Sequence, residues 1–391
     1  MLCHGAVIWA NQLTEKIKRK LSSIQRKFLL SITGAYHTTS TASLQVISGI
    51  PPLYLTALKE AKYFTFTKLQ EAIMVSNHQI DSTTYESIIK GHQIHPAEFN
   101  IDPQISTKEE QQYPIKNSTF TDGSKTDEGT GSAFCYFDNT ASIIKEWQGK
   151  LHPDNNVFQA ELLAIKQAIL FHQNKSIPTC IWPDSLSSLQ AIQNPISPHP
   201  LVKDIQNLLH CNKSIYFGWI KAHVGHMGNE SADVLAKNAV IHGTPFTLLK
   251  PLGHLKKILN QELISNWKKE WDKSNLGKPI HDLIPSPSFR NHNWDRREVM
   301  FFTEHGPFTS YLKRFHLRPS DSCSCGDVGN PLHFATSCPH TKAWHFSKPS
   351  NNNLLQWKRA ILRNTQSRTR LHNMVSFLMA NDILINGPPA D

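Results

Sequence analysis

The 391-residue sequence predicts an α/β domain set between two mainly helical segments, on three observations. Strand-like runs alternate with helical patterns between residues 115 and 242. Within that window four acids, Asp122, Glu161, Asp184 and Asp233, fall at what read as strand ends and helix faces. A basic amphipathic stretch precedes the window, and a basic segment with a Cys/His group follows it.

Residues 14–32 place Ile17, Leu21, Ile24, Phe28 and Leu29 on one helical face, with Lys18, Lys20, Arg26 and Lys27 around it. Two further helices are predicted over 41–47 and 53–75, divided by capping and breaking residues. Residues 78–114 are polar with scattered prolines and read as a linker. Strands are predicted near 116–122, 131–138 and 142–148, the first from the alternation of Ile115, Thr119 and Phe120. A helix then runs from an N-cap at Asp154 or Asn155 to about Phe171, with Phe158, Leu162, Ile165 and Ile169 as its apolar stripe. Glu161 lies on that same face, where an acid is costly to bury unless it is charge-paired or metal-bound. A strand at 178–183, helices near 185–193 and 201–210, a strand at 214–220 and a helix at 229–241 complete the unit.

Each acid taken singly reads as a solvated surface group. Their order reverses that reading, because two hard divalent cations roughly 3.5–4 Å apart need oxygen ligands of this kind for phosphodiester hydrolysis. Mg²⁺ or Mn²⁺, two ions, is the cofactor that this chemistry implies.

Charge is unevenly distributed. Residues 1–114 carry 11 Lys and Arg against 9 Asp and Glu, residues 115–242 carry 10 against 11, and residues 243–391 carry 20 against 11. Nucleic-acid affinity is therefore expected from the basic C-terminal region. Cys3, Cys135, Cys180 and Cys211 are scattered singly, unlike a secreted disulfide framework. No run reaches the ~18–20 apolar residues of a membrane span, and the N-terminal charge order does not suit a signal peptide. A soluble intracellular protein of cytoplasm or nucleus, with no membrane partner, is the expectation.

Phe-Thr-Asp122-Gly-Ser, Gln-Ala-Glu161-Leu-Leu-Ala-Ile, Trp-Pro-Asp184-Ser and the 219–233 run ending Gly-Asn-Glu-Ser-Ala-Asp233 resemble a type-1 ribonuclease H domain over residues 115–242. The flanking runs Ile24 to Phe28, Thr33 to Thr41 and Ile47 to Leu53 resemble the region after the polymerase palm in non-LTR retrotransposon reverse transcriptases. The resemblance implies a five-stranded mixed sheet with helices on both faces, and hydrolysis of the RNA strand of RNA/DNA hybrids. It also implies that Asp122, Glu161, Asp184 and Asp233 hold the metal ions, and that His223 assists proton transfer or product release. The domains so implied are 1–77, a helical remnant of the reverse transcriptase; 78–114, the linker; 115–242, ribonuclease H; and 243–391, the basic region. Polymerase fingers and palm are absent from this sequence.

Two departures from the family stand out. Val157 and Phe158 occupy positions where cellular members carry an Asn-Gln pair that reads ribose 2′-hydroxyls, leaving backbone groups around Gly123 and Ser124 for that task. The 194–200 connection is too short for the basic protrusion of some relatives. His226 also falls in the His223 loop and reads as a loop side chain.

Cys323, Cys325, His333 and Cys338 form a C-x-C-x7-H-x4-C arrangement that suits tetrahedral Zn²⁺; a reduced, buried cysteine cluster is the other reading. His340 is an alternative ligand or a surface residue. Trp267 and Trp271 beside Lys268 and Lys269, and Trp294 beside Arg296 and Arg297, read as core tryptophans or as base-stacking platforms. Three functions stay open: a hybrid-cleaving ribonuclease H, a catalytically weak nucleic-acid-binding Pol fragment, and a DNA-acting nuclease of the same superfamily.

Overall fold

The computed structural model describes residues 5–109, 117–175 and 178–382. Cys3 and Ile115 lie outside them. The chain divides into two compact units, residues 65–258 and residues 1–64 with 259–391.

The 65–258 unit is built on a seven-stranded mixed sheet. Its strands are β1 (Ile105–Glu109), β2 (Ser118–Lys125), β3 (Thr130–Phe137), β4 (Ile143–Leu151), β5 (Thr179–Pro183), β6 (Ile215–Trp219) and β7 (Thr244–Pro245). They lie in the order β1-β6-β5-β2-β3-β4-β7. β2, β3 and β4 form an antiparallel meander, while β5 and β6 run parallel to β2. Four helices, α1 (Val157–His172), α2 (Leu186–Gln193), α3 (Pro200–Cys211) and α4 (Met227–His242), connect or follow the strands.

Period-two alternation along β3 feeds two cores. Phe134 joins Leu162, Ile165, Ile169, Ile181 and Val202 on one face of the sheet, while Ala133, Cys135 and Phe137 join Phe120, Ala232 and Leu235 on the other. Helices thus cover both faces, which is why β2 is buried along most of its length.

The five expected strands are present, and two edge strands extend the sheet from outside 115–242. β1 comes from the stretch read as linker and pairs with β6; its Ile-Ser-Thr-Lys-Glu sequence has too little apolar content to announce a strand. Helix Leu53–Phe64 ends well before residue 75, through a π-helical turn at Thr65–Leu69. Ile73–Val75 then pairs with His78–Ile80 around Ser76 and Asn77, whose φ values of 47° and 69° suit a tight hairpin turn. The α1 N-cap is Asn156, not Asp154 or Asn155. Its side chain accepts from the Gln159 N–H, and the Gln159 side chain accepts in return from the Asn156 N–H. Asn155 is instead buried with its amide donating to Gln159 and the Leu249 carbonyl, and Asp154 pairs with Lys250 at 2.7 Å.

In the other unit the first and last sequence blocks share one core. Leu21, Val46, Ile47 and Leu55 cluster with Trp267, Trp271, Val299, Phe301, Tyr311 and Met374. Both Trp267 and Trp271 are core side chains, and the Trp271 indole donates to the Ile284 carbonyl at 2.9 Å. Helix Glu15–Thr33 buries Leu21, Gln25, Leu29 and Thr33, four residues apart, whereas Ile17 and Phe28 of the expected stripe are exposed.

Gly131 marks where β3 meets α4 backbone to backbone. A Cβ there would stand 2.1 Å from the Ala236 carbonyl oxygen, whereas at Gly129 the nearest atom is 3.4 Å away. Gly131→Ala is expected to cost about 2–3 kcal/mol in chemical denaturation, and Gly129→Ala about 0.5 kcal/mol or less. Equal costs would contradict this packing.

Candidate active site

Register brings the acids together. In β2, Thr121 stands beside Pro183 of the parallel β5, so Asp122 and Asp184 emerge side by side at the same end of neighbouring strands. Glu161 arrives from α1 because Gly123 lets that helix press against the strand: a Cβ on Gly123 would lie 2.6 Å from the Glu161 nitrogen. Carboxylate oxygens of Asp122, Glu161 and Asp184 all fall within 4.8 Å of one another.

Burial and mutual repulsion set the electrostatics of this cluster. Asp122 and Glu161 are each 7% exposed. Burial first, then the charges of Asp184 and Asp233, push the Asp122 carboxyl up to about 7, while a Gly123 backbone N–H pulls the other way. Glu161 is raised well above the usual range by burial and by Asp122 and Asp184. Asp184 is raised by burial, against the Asn229 amide that donates to its Oδ2 at 3.1 Å and the nearby His223. Among the described residues no Lys, Arg or His forms an ion pair with these three acids. Glu161 Oε2 is buried with no hydrogen-bond partner. Three converging carboxylates with an orphaned oxygen and no ion-paired partner among the described residues fit a hard divalent cation, whose oxygen ligands they would be.

Asp233 stands apart. It lies on α4 and pairs with Lys237 one turn on, at 2.7 Å, outside the close group of three, yet its charge reaches both Asp122 and Asp184. His223 occupies the exposed loop between β6 and α4 with a left-handed φ of 56°. His226 is the residue before α4 and caps nothing with its side chain. Gln159, next to the Val157 and Phe158 positions, is committed to the helix cap, to Glu86 and to the Leu249 carbonyl. The 194–200 connection is short, running directly from α2 to α3.

Sequence reasoning missed Asn229, which orients Asp184, and the Trp219 indole, which donates to the Asp184 carbonyl at 2.9 Å. Asn229 sits inside the Gly-Asn-Glu run, where its place at the start of a helix was the available signal. Lys237 could have been found from its i,i+4 spacing to Asp233.

The second cluster lies in the other unit. Ligand atoms of Cys323, Cys325, His333 and Cys338 are also within 4.8 Å of one another. Cys323 Sγ and Cys338 Sγ are 3.7 Å apart, too far for a disulfide and close to the ~3.8 Å edge of a tetrahedron with ~2.3 Å Zn–S bonds. Cys325 Sγ is 3.3 Å from His333 Nε2, and Asn330 caps the helix Pro331–Thr336 that carries His333. Burial first raises the Cys323 and Cys338 thiols, the latter to about 12. His340 is not in this group; its ring contacts Ser324 at 2.9 Å.

The raised Asp122 carboxyl gives a stability signature in the absence of divalent salt. The folded state holds this proton more tightly than the unfolded state, so its contribution is full below pH ~4 and is lost as pH rises through about 7. Melting temperature without added divalent salt should fall over that interval, Mg²⁺ should restore it most at the upper end, and Asp122→Asn should flatten both effects. A metal-free profile identical in wild type and variant would contradict the electrostatic account.

A ribonuclease H family model matches residues 115–241. The chain is 29% identical over 108 residues to the Pol polyprotein of the type-1 retrotransposable element R1 from Bradysia coprophila, covering 25% of this chain and 11% of that protein. It is 30% identical over 101 residues to the ribonuclease H of Tropheryma whipplei, covering 22% of this chain and 61% of the enzyme. Among solved structures, a foamy viral protease-reverse transcriptase in complex with RNA/DNA hybrid is similar over 35% of this chain and 22% of its own, at 19% identity and a TM-score of 0.30. The chain thus spans about a tenth of the polyprotein and under two thirds of the bacterial enzyme. The family match and the sequence similarity lead to one conclusion: residues 115–241 are a ribonuclease H domain, homologous to a retrotransposon Pol polyprotein.

Proposed function

We propose that the chain hydrolyses the RNA strand of RNA/DNA hybrids endonucleolytically, with Mg²⁺ or Mn²⁺, as part of a retrotransposon Pol protein. The observation that carries this reading is the converging trio Asp122, Glu161 and Asp184, the first two buried and none of them ion-paired among the described residues, inside a matched ribonuclease H domain. Bound divalent ions would supply Lewis acidity for displacement at phosphorus. Asp122, Glu161 and Asp184 would hold them, and Asp233 would join from α4 when its pairing with Lys237 gives way.

The chain's own groups then position and exchange protons. Asn229 would keep Asp184 turned toward the cluster, while the exposed His223, on a loop that the Trp219–Asp184 bond anchors at its root, would move a proton at the departing oxygen or ease product release. With Gln159 occupied by the helix cap, recognition of the ribose 2′-hydroxyl falls to backbone groups near Gly123 and Ser124.

The Cys323, Cys325, His333 and Cys338 group suits structural Zn²⁺, with Asp327 Oδ2 at 3.9 Å from His333 Nδ1 as a candidate to orient the ring. Its role would be to order the 320–338 segment.

Asp122→Asn should leave the fold intact and remove several kcal/mol of transition-state stabilisation, on the order of 10³-fold in cleavage rate. His223→Ala should slow turnover about 10²-fold while retaining Mg²⁺ binding by calorimetry. Wild-type turnover by the first, or lost ion binding by the second, would overturn these assignments.

Elemental analysis of protein purified without chelator should give about one Zn²⁺ per chain. Cys323→Ser should abolish it and lower the melting temperature, with the Mg²⁺ response preserved because hard oxygen ligands and soft thiolates select different ions. A zinc-free protein whose stability is unaffected by Cys323→Ser would leave only a reduced cysteine cluster.

A further inference from the structure

All of the chain's net positive charge lies in one compact unit. Residues 1–64 and 259–391 carry 25 Lys and Arg against 13 Asp and Glu, whereas residues 65–258 carry 16 against 18. The unit holding the carboxylates therefore has no net positive charge to attract a polyanion.

Within the basic unit, a cavity of about 670 Å³ is lined by Lys313, Arg314, His316 and Arg318 together with Ser310 and Asp321. The run Lys313-Arg314-Phe315-His316-Leu317-Arg318 folds around it. Helix Thr309–Arg314 ends, His316 takes a left-handed φ of 58°, and the Leu317 N–H returns to the Leu312 carbonyl at 2.8 Å, so bases spread along six residues line one hollow. Lys313 pairs with Asp321 at 3.0 Å, and Arg318, its side chain 8% exposed, pairs with Asp382 at 3.0 Å. Arg314 lies over the Phe315 and Tyr311 rings at 5.2 and 5.9 Å and meets a backbone oxygen, that of Glu304 at 3.4 Å, with no carboxylate pairing among the described residues. One wall belongs to the Cys/His segment: the Thr309 hydroxyl and the Gly329 N–H both donate to the Asp321 carbonyl, two residues before Cys323.

We propose that this cavity binds phosphate groups of a polynucleotide strand, with Arg314 and Lys313 as the contacting cations and Arg318 as a fixed positive wall. A planar guanidinium held over aromatic rings, open to solvent and without an acid partner, is pre-organised for phosphate oxygens. The choice of a polynucleotide over other phosphorylated ligands rests on the hybrid-cleaving reading of the other unit. Lys313 exchanges Asp321 for phosphate on binding, which makes Asp321 a restraint on affinity.

Binding of a fluorescent RNA/DNA hybrid to the full chain, in an Asp122→Asn background that keeps the hybrid intact, tests this by anisotropy across a salt series. Lys313→Gln with Arg314→Gln should weaken binding about 10-fold at 0.1 M salt and reduce the slope of log K against log salt by about two, with melting temperature unchanged. Asp321→Asn should tighten binding. The charge-matched pair Lys16→Gln with Lys20→Gln, on exposed positions of the same unit, should reduce affinity and slope less. Unchanged affinity and slope in the cavity variant, or an equal loss in the control pair, would overturn the site. Loss of binding to phosphatidylserine vesicles, with hybrid binding retained, would overturn the choice of ligand. A chain that shows the expected binding changes but never cuts hybrid would refute the cleavage reading and leave this site standing.

Discussion

Three carboxylates packed together in a desolvated corner are the constraint on which the ribonuclease H unit is organised. Like charges at this separation repel, burial strips their hydration, and the raised Asp122, Glu161 and Asp184 carboxyls are the direct result. The apolar cores do without the acids: Phe120 and Leu162, close neighbours of Asp122 and Glu161 in sequence, belong to the two hydrophobic clusters instead. The fold carries the electrostatic cost through elements that cannot easily relax: a strand buried on both faces, a helix pressed against it at Gly123, and an amide from Asn229 fixing the third acid. A hard cation would relieve the repulsion, with the unpartnered oxygen of Glu161 among the ligands open to it.

Charge is divided unevenly between the two units. The carboxylate-bearing unit is slightly acidic, whereas in the other an excess of Lys and Arg surrounds a core made from both ends of the sequence, and the proposed attraction for a polyanion rests on that excess. Cys323 and Cys338 belong to that same core, so the Cys/His group is continuous with the packing of its unit. Its thiols are raised by burial, which a bound soft cation would reverse by taking the thiolates as ligands.

Much of the site was legible because its signals are local. A strand-end Asp before Gly, an acid on the apolar stripe of an amphipathic helix, and a second strand-end Asp each need only a few residues of context, and parallel pairing of β2 with β5 does the rest. What escaped was set by contacts distant in sequence. β1 has almost no apolar pattern and exists through its pairing with β6; residues 73–75 end a run that reads as helical, and 78–80, read as linker, pair back on them once Ser76 and Asn77 turn the chain. Phe28 looks like core but is exposed, because Gln25 takes the buried position by accepting from the Leu53 N–H and donating to the Pro51 carbonyl. That both chain ends share one core is a tertiary fact that no window of periodicity contains.

The converging acids would make this chain a metal-dependent, RNA-strand-specific hydrolase, as proposed above. Incubating the full chain with a hybrid labelled on its RNA strand, beside an all-DNA duplex of the same sequence, with and without Mn²⁺, measures it directly. Internal cuts in the RNA strand alone, dependent on the ion and leaving 3′-hydroxyl ends, are expected. Cleavage without divalent ion, equal cutting of the DNA duplex, or an intact hybrid at saturating ion would contradict this reading.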